Sequence, residues 1–289
     1  MATPSSAVAD PPDTRQDLHI VDQLIVERAP KLAASPAWPV LRLALYRLLD
    51  YRKARRMADA IASMSGQDAL DHVSDLLALD IAAEGLERVP REGAIITVSN
   101  HPTGIADGVA VYDALRTVRR DLVFYANADA NRVAPRFDEV MIPVELNAAK
   151  RSREATRLTL RRTNQVLEAG QALVTFPAGR LARVRHKALT DEPWQPTAVS
   201  LARKFEAPLV PIHVDGPWSF FFHFFDRFSG ELRDITLFHE LLNKRGQRFR
   251  LIVGAPIDPE ALPGDPVEAT AALKAHVEFE LPNGRLRFP

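Results

Sequence analysis

The chain of 289 residues contains no cysteine. That absence removes disulfides, thiolate metal sites and every cysteine nucleophile, and it suits a reducing compartment. An excess of either charge is missing too: 37 Lys+Arg face 37 Asp+Glu. The chain therefore carries no polyanion-binding signature, and nucleic acid is not an expected partner. No apolar run reaches the roughly 20 residues that a membrane-spanning helix needs. Neither Gly-x-x-x-x-Gly-Lys-[Ser/Thr] nor Gly-x-Gly-x-x-Gly occurs, which leaves nucleotide phosphate loops unsupported. Without a Gly-x-Ser-x-Gly elbow, a serine-hydrolase mechanism has no nucleophile in place. His239-Glu240 lacks the second histidine of a zinc-protease helix, and His213, Asp215 and His223 match no metal-ligand spacing, so no metal site is expected.

What is present is concentrated in one stretch, Ala94 to Gly108, reading Ala-Ile-Ile-Thr-Val-Ser-Asn-His-Pro-Thr-Gly-Ile-Ala-Asp-Gly. Ile95, Ile96 and Val98 form a short β-rich run, introduced by Pro90 and Gly93. Apolar periodicity resumes at helical spacing from Ile105 through Val109, Val111 and Leu115. A strand that breaks into a polar turn and then a helix sets that turn at the carboxyl edge of a sheet, where open α/β folds bind ligands. His101 and Asp107 bracket the turn. Histidine ordinarily titrates near neutrality, and a carboxylate on its second nitrogen fixes its tautomer and orientation. Taken singly, His101 caps the helix and Asp107 is a first-turn acid favoured by the helix dipole. Their joint setting behind a buried strand favours the chemical reading, a base with its orienting acid.

Around this stretch the sequence divides into three parts. Residues 1–35 read as a disordered or weakly ordered tail, most plainly Met1–Asp17, which lacks the pattern of a signal peptide. Residues 36–79 read as a helical arm. Within it Trp38, Tyr46 and Tyr51 flank an apolar helical pattern, and Arg47, Arg52, Lys53, Arg55 and Arg56 follow. A basic amphipathic helix with aromatics suits a membrane interface, the alternative being an arm that packs on the domain and snorkels its arginines. Residues 80–289 read as an α/β domain, because strand and helix patterns alternate from 80 to 260. Asp80–Gly85 reads as a strand and turn, and further strands are expected at Leu122–Ala126, Val140–Val144, Ala172–Phe176, Pro208–Val214 and Phe249–Val253. The one holding Pro211 is expected near an edge. Helices are expected at Lys150–Glu168, with a basic solvated face, at Thr197–Lys204 and at Pro266–Leu281. Asn131–Phe137 reads as loop. Trp218–Phe228, with six Phe and one Trp, is either core or a lipid-contacting cluster.

A second turn, Phe176-Pro177-Ala178-Gly179-Arg180, also follows a strand. Gly179 permits close backbone approach to a ligand, and Arg180, Arg183, Arg185 and Lys187 place four cations within eight residues, an arrangement suited to an anion. The two turns carry a family resemblance. Asn100-His101 with Asp107 resembles the signature of the glycerolipid (lysophospholipid) acyltransferases, Phe176–Arg180 resembles their Phe-Pro-Glu-Gly block, and Val210-Pro211-Ile212 their Val-Pro block. The resemblance spans roughly residues 80 to 255. It implies a mixed β-sheet flanked by helices and preceded by a helical arm, acting at the cytoplasmic face of the inner membrane. It also implies transfer of a fatty acyl group from acyl-CoA or acyl carrier protein, as substrates and not cofactors, to a lysolipid hydroxyl.

Five residues, Pro102 to Ala106, separate His101 from Asp107 where the family usually has four, which matches the hemolysin-like and ornithine-lipid branch. Ala178 stands where the family commonly has Glu, and Glu145 where a strand-end Arg is common. Both positions help hold glycerol phosphate in the family. On this reading His101 and Asp107 are catalytic, and Asn100, Thr103, Gly104, Phe176, Pro177, Gly179, Arg180 and Arg183 contact substrate. Backbone amides near Gly104 or Gly179 are the candidate oxyanion donors. A lipid-binding protein that kept the fold without the chemistry, or an acyl thioesterase, are the competing expectations.

Overall fold

Apolar runs buried on both faces, joined by amphipathic helices, force a sheet between two helical layers. The computed structural model of the protein describes residues 18–145, 152–185 and 188–289. Five helices come first: α1 (Ile20–Arg28), α2 (Pro30–Ala33), α3 (Trp38–Leu48), α4 (Tyr51–Ile61) and α5 (Gly66–Leu77). Then follow β1 (Asp80–Glu84), β2 (Ile95–Ser99), α6 (Ile105–Leu115), β3 (Leu122–Asn127), α7 (Asp129–Val133), β4 (Met141–Val144), α8 (Arg153–Glu168) and β5 (Ala172–Thr175). A hairpin of β6 (Arg183–Arg185) and β7 (Ala188–Thr190) leads to α9 (Thr197–Phe205) and β8 (Leu209–Asp215). The order closes with α10 (Phe220–Asp226), α11 (Gly230–Ile235), α12 (Leu237–Leu242), β9 (Arg248–Val253) and α13 (Pro266–Ala275).

Seven of the described strands form one sheet in the order β1-β9-β8-β2-β5-β3-β4. Strands β8, β2, β5, β3 and β4 run parallel to one another, while β9 is antiparallel to β8 and parallel to β1. This is the mixed α/β sheet with N-terminal helices that the sequence led us to expect. Every residue of β2 is buried. Ile95 packs into the layer containing α1 and α3–α6, and Ile96 and Val98 into the layer of α8, α9 and α13. Because β2 lies between β8 and β5, the turns leaving these three strands share one edge.

Four expectations need correction. Pro211 does not mark an edge, since β8 lies inside the sheet. Its carbonyl accepts the Gly254 N–H at 2.9 Å, just past the end of β9, so its missing N–H costs the ladder nothing. Within the segment expected to be tail, apolar residues at 20, 21, 24 and 25 instead make a helix whose Val21 and Leu24 are buried. Asn131–Phe137 is not loop but α7 and a 3₁₀ turn over Pro135–Glu139. Ion pairs from Asp129 to Arg28 (2.8 Å) and from Arg132 to Glu27 (2.7 Å) hold α7 against α1, and local sequence cannot reveal them. The last helix stops at Ala275 and continues as a π turn over His276–Glu280.

The arm packs on the domain through Trp38 and Leu45, and the Tyr46 and Tyr51 hydroxyls both donate to Asp22 at 2.5 Å. The opposite face of α3 leaves Val40 75% and Leu43 69% exposed. Arg153, Arg157 and Arg161 on α8 lie in solvent, as expected of its basic face.

At the amino end of the sheet a single guanidinium joins three central strands. The buried Arg119 donates to Asp121, which precedes β3, and to the carbonyls of Pro90 and Gly93 before β2 and of Gly170 before β5. Lysine cannot reproduce this planar fork. Arg119→Lys should cost roughly 3 kcal/mol by leaving buried acceptors unmet. Urea unfolding of the variant checks this, and an unchanged midpoint would show that Arg119 does not hold the strands.

Candidate active site

At the carboxyl end of β2 the ladder to β8 is prolonged by a side chain. The Asn100 amide donates to the Val214 carbonyl at 2.9 Å, and its oxygen accepts the Val214 N–H at 2.7 Å. The structure thus assigns the buried Asn100 to fixing the start of the turn, where the sequence suggested substrate contact. The chain then turns through His101-Pro102-Thr103-Gly104 into α6. Gly104 has φ +106 and ψ −146, a conformation essentially confined to glycine. A Cβ there would stand 2.9 Å from Leu181 Cδ2.

Asp107, at the third position of α6, is fully buried and reaches back over the turn. Its carboxylate accepts the Thr103 N–H (2.9 Å), the Gly104 N–H (3.0 Å), the Thr103 hydroxyl, and His101 Nδ1 at 2.9 Å. Five intervening residues suit this arrangement, because they give the turn enough chain to wrap the carboxylate. With an acceptor on Nδ1, the His101 ring carries its proton there and leaves Nε2 as the basic atom. The ring stacks on Phe176, with centroids 4.5 Å apart, and the side chain is 17% exposed. Among the described residues none hydrogen-bonds its Nε2. The arrangement can accept a proton from a hydroxyl group held at the sheet edge.

The second turn lies beside the first because β5 neighbours β2. The Pro177 carbonyl accepts the Gln195 N–H at 2.9 Å, and the Ala182 N–H donates to the His101 carbonyl at 2.8 Å. Gly179 has φ +63, and its N–H donates to the Phe176 carbonyl at 2.9 Å. Of the backbone amides near Gly104 or Gly179 expected as oxyanion donors, those of Gly104 and Gly179 themselves are already engaged within the turns that they build. Thr103 is likewise committed to Asp107 and lies buried. Arg180 is exposed, with no ion-pair partner among the described residues, while Arg183 lies 3.9 Å from Glu192. Lys187 and the side chain of Arg185 lie outside the described residues. Ala178, in the position where Glu was anticipated, is packed in the core beside Trp194. Glu145 follows the end of β4.

Two features escaped the sequence. Asp191, buried, accepts the His101 N–H at 3.1 Å and the Trp194 indole N–H at 2.9 Å. Burial pushes its carboxyl up to about 6, against the opposing pull of Trp194 and His101. Ser219 donates to the Thr103 carbonyl at 2.9 Å, which starts the aromatic helix α10 directly beside the turn. The only signal for the former was a carboxylate three residues before an indole, and neither contact is local in sequence. His213 bonds the Val277 carbonyl and His223 stacks on Trp218; among the described residues no cluster of three or more potential ligands could hold a metal ion.

Residues 80–215 match the family model described as Acyltransferase. Over that stretch the chain is similar to acyltransferases. Among curated proteins it is 28% identical over 202 residues to a lyso-glycine lipid O-acyltransferase of Phocaeicola vulgatus, covering 66% of this chain and 69% of that one. A protein of the same description from Bacteroides thetaiotaomicron is 24% identical over 198 residues, covering 66% and 71%. The crystal structure of the 1-acyl-sn-glycerophosphate acyltransferase PlsC of Thermotoga maritima superposes with a TM-score of 0.50 over 95% of this chain and 99% of that one. At 14% identity, that likeness speaks to fold alone. His101 and Asp107, whose spacing in the sequence resembles the histidine and aspartate motif of glycerolipid acyltransferases, are the pair that the fold brings together.

The geometry of Gly104 gives a direct test. Gly104→Ala should lose about 1–3 kcal/mol through backbone strain, and should displace Leu181 from the second turn. Thermal unfolding at neutral pH measures the loss, and a variant as stable as the parent would contradict the strained geometry.

Proposed function

We propose that the protein transfers a fatty acyl group from a thioester of coenzyme A or acyl carrier protein to the hydroxyl of a lysolipid. The observation that carries this reading is the His101–Asp107 pair at the carboxyl edge of the sheet, with Nε2 open. As the acceptor oxygen bonds to the thioester carbonyl carbon, its proton passes to Nε2 of His101. Asp107 holds the tautomer and stabilises the imidazolium that forms. Collapse of the tetrahedral intermediate breaks the carbon–sulfur bond, and the imidazolium returns the proton to the departing thiolate. This route needs neither metal nor covalent acyl-enzyme. Phe176 orients the ring by stacking, and Arg180, with Arg183 beside it, grips the anionic group of donor or acceptor.

The acceptor we favour is an amino-acid-headed lysolipid. The curated relatives are named for lyso-glycine lipid. A core-packed Ala178 offers no polar group for glycerol phosphate, whereas the Arg180 guanidinium, with no ion-pair partner among the described residues, suits a single carboxylate. For localisation we propose a peripheral seat on the cytoplasmic face of the inner membrane. Among the described residues no helix is long and apolar enough to cross a membrane. Val40 and Leu43 on α3 are exposed, as are Arg52, Arg55 and Arg56 of the following α4, an apolar and basic combination that suits an anionic lipid surface. Phe220 (59%) and Phe228 (72%) are exposed too, on a segment anchored to the catalytic turn through Ser219.

Two outcomes are expected. His101→Ala should lower acyl transfer by roughly two to four orders of magnitude, the usual worth of a general base, without loss of folding. Acyl-transfer turnover by the purified, folded variant checks this, and near-normal turnover would remove His101 from the mechanism. Val40→Asp with Leu43→Asp should weaken sedimentation with vesicles rich in phosphatidylglycerol, and the parent's binding should fall as salt screens the basic residues. Salt-insensitive binding that survives both changes would place the membrane contact elsewhere.

A further inference from the structure

Asp107 fixes the His101 ring, but the position of a ring also depends on where its main chain sits. The His101 main chain is held on both sides by the segment that follows the second turn. Its carbonyl accepts the Ala182 N–H at 2.8 Å, and its N–H donates to Asp191 Oδ1 at 3.1 Å. Asp191 is buried and spends its other oxygen on the Trp194 indole at 2.9 Å. Two donors converge on two oxygens, and only a carboxylate offers both. Behind it, the Asp191 N–H donates to Glu278 at 2.7 Å and the Thr190 hydroxyl donates to the same carboxylate at 2.9 Å. Lys274 on α13 pairs with Glu278. A continuous polar chain therefore runs from α13, through the end of the β6–β7 hairpin, to the backbone of His101.

We propose that Asp191 is a positioning residue for acyl transfer, setting the His101 main chain from the opposite side to Asp107 and tying it to the strap that carries Arg180. The proposal rests on the reading of His101 as the base. A displacement of about 1 Å at a reacting group costs about a hundredfold in rate. A neutral amide at 191 presents one oxygen to two donors, so its NH2 must face either the His101 N–H or the indole N–H. Removing the indole donor frees that oxygen for His101.

Three variants separate positioning from mere support. Asp191→Asn should lower kcat about a hundredfold, with KM for donor and acceptor little changed. Trp194→Phe should lose far less, and Asp191→Asn combined with Trp194→Phe should recover most of the kcat that Asp191→Asn loses. The NMR signal of the His101 main-chain amide should move in Asp191→Asn and move back in the double variant, where the amide oxygen is free to accept it. The ionisable groups facing Asp191 are His101 and Glu278, the latter already paired with Lys274. The folded carboxyl, pushed up to about 6, keeps its proton to higher pH than the unfolded one. The parent should therefore gain stability relative to Asp191→Asn as pH falls from about 6 to about 4, giving a folding readout separate from rate. Unchanged kcat in folded Asp191→Asn would overturn the proposal, as would equal losses in Trp194→Phe with no recovery in the double variant. If Asp191→Asn does not fold, the double variant carries the test against Trp194→Phe: kcat within a few-fold upholds the proposal, and a further hundredfold loss overturns it. A parent that transfers no acyl group would defeat the functional reading instead, while the His101 main-chain amide signal would still report on the clamp.

Discussion

The sheet edge depends on one buried carboxylate. Asp107 sits without solvent at the start of α6 and receives four hydrogen bonds, two from main-chain N–H groups, one from a hydroxyl and one from the His101 ring. Burying such a charge costs several kcal/mol unless its lone pairs are met, and here the donors and the amino end of the helix meet them together. The arrangement is reciprocal. The carboxylate imposes the turn, the turn requires a backbone only glycine adopts at 104, and both deliver the imidazole with Nε2 outward. Residues that sequence reading assigns to substrate, Asn100 and Thr103 among them, turn out to build this frame.

The sheet explains why the second turn joins the first. Strands β2 and β5 are separated by more than seventy residues yet hydrogen-bond side by side in parallel, so Phe176 follows β5 to stack on His101. Arg119 binds the same strands at their other end. With both ends fixed, the distance between ring and ring is set by strand register. Arg180 follows within a few residues, on a segment tied to the His101 backbone through Ala182. The proposed acid–base pair and the proposed anion site thus share a single rigid edge.

How much of this was legible in the sequence follows from range. The buried strand, the polar break and the resumption of helical periodicity lie within fifteen residues, and they place His101 and Asp107 correctly at a strand-to-helix turn. The fold class follows from the same alternation. What stayed hidden spans long separations: Asp191 reaches His101 across ninety residues, Ser219 reaches Thr103 across more than a hundred, and α7 is held by α1 through ion pairs. Pro211 misled for a different reason. Proline inside a strand normally argues for an edge, but here the neighbouring strand ends opposite it, so a sheet interior accommodates it.

The central claim is that His101 directs a hydroxyl, not water, at a thioester. Thiol release from a long-chain acyl-CoA or acyl carrier protein by the purified parent, measured with and without lyso-glycine lipid, tests it most directly. The account predicts release that depends on the acceptor and matches the acylated lipid formed mole for mole. Equal release without acceptor would make the protein a thioesterase, and no release with either donor would leave a lipid-binding fold without the chemistry.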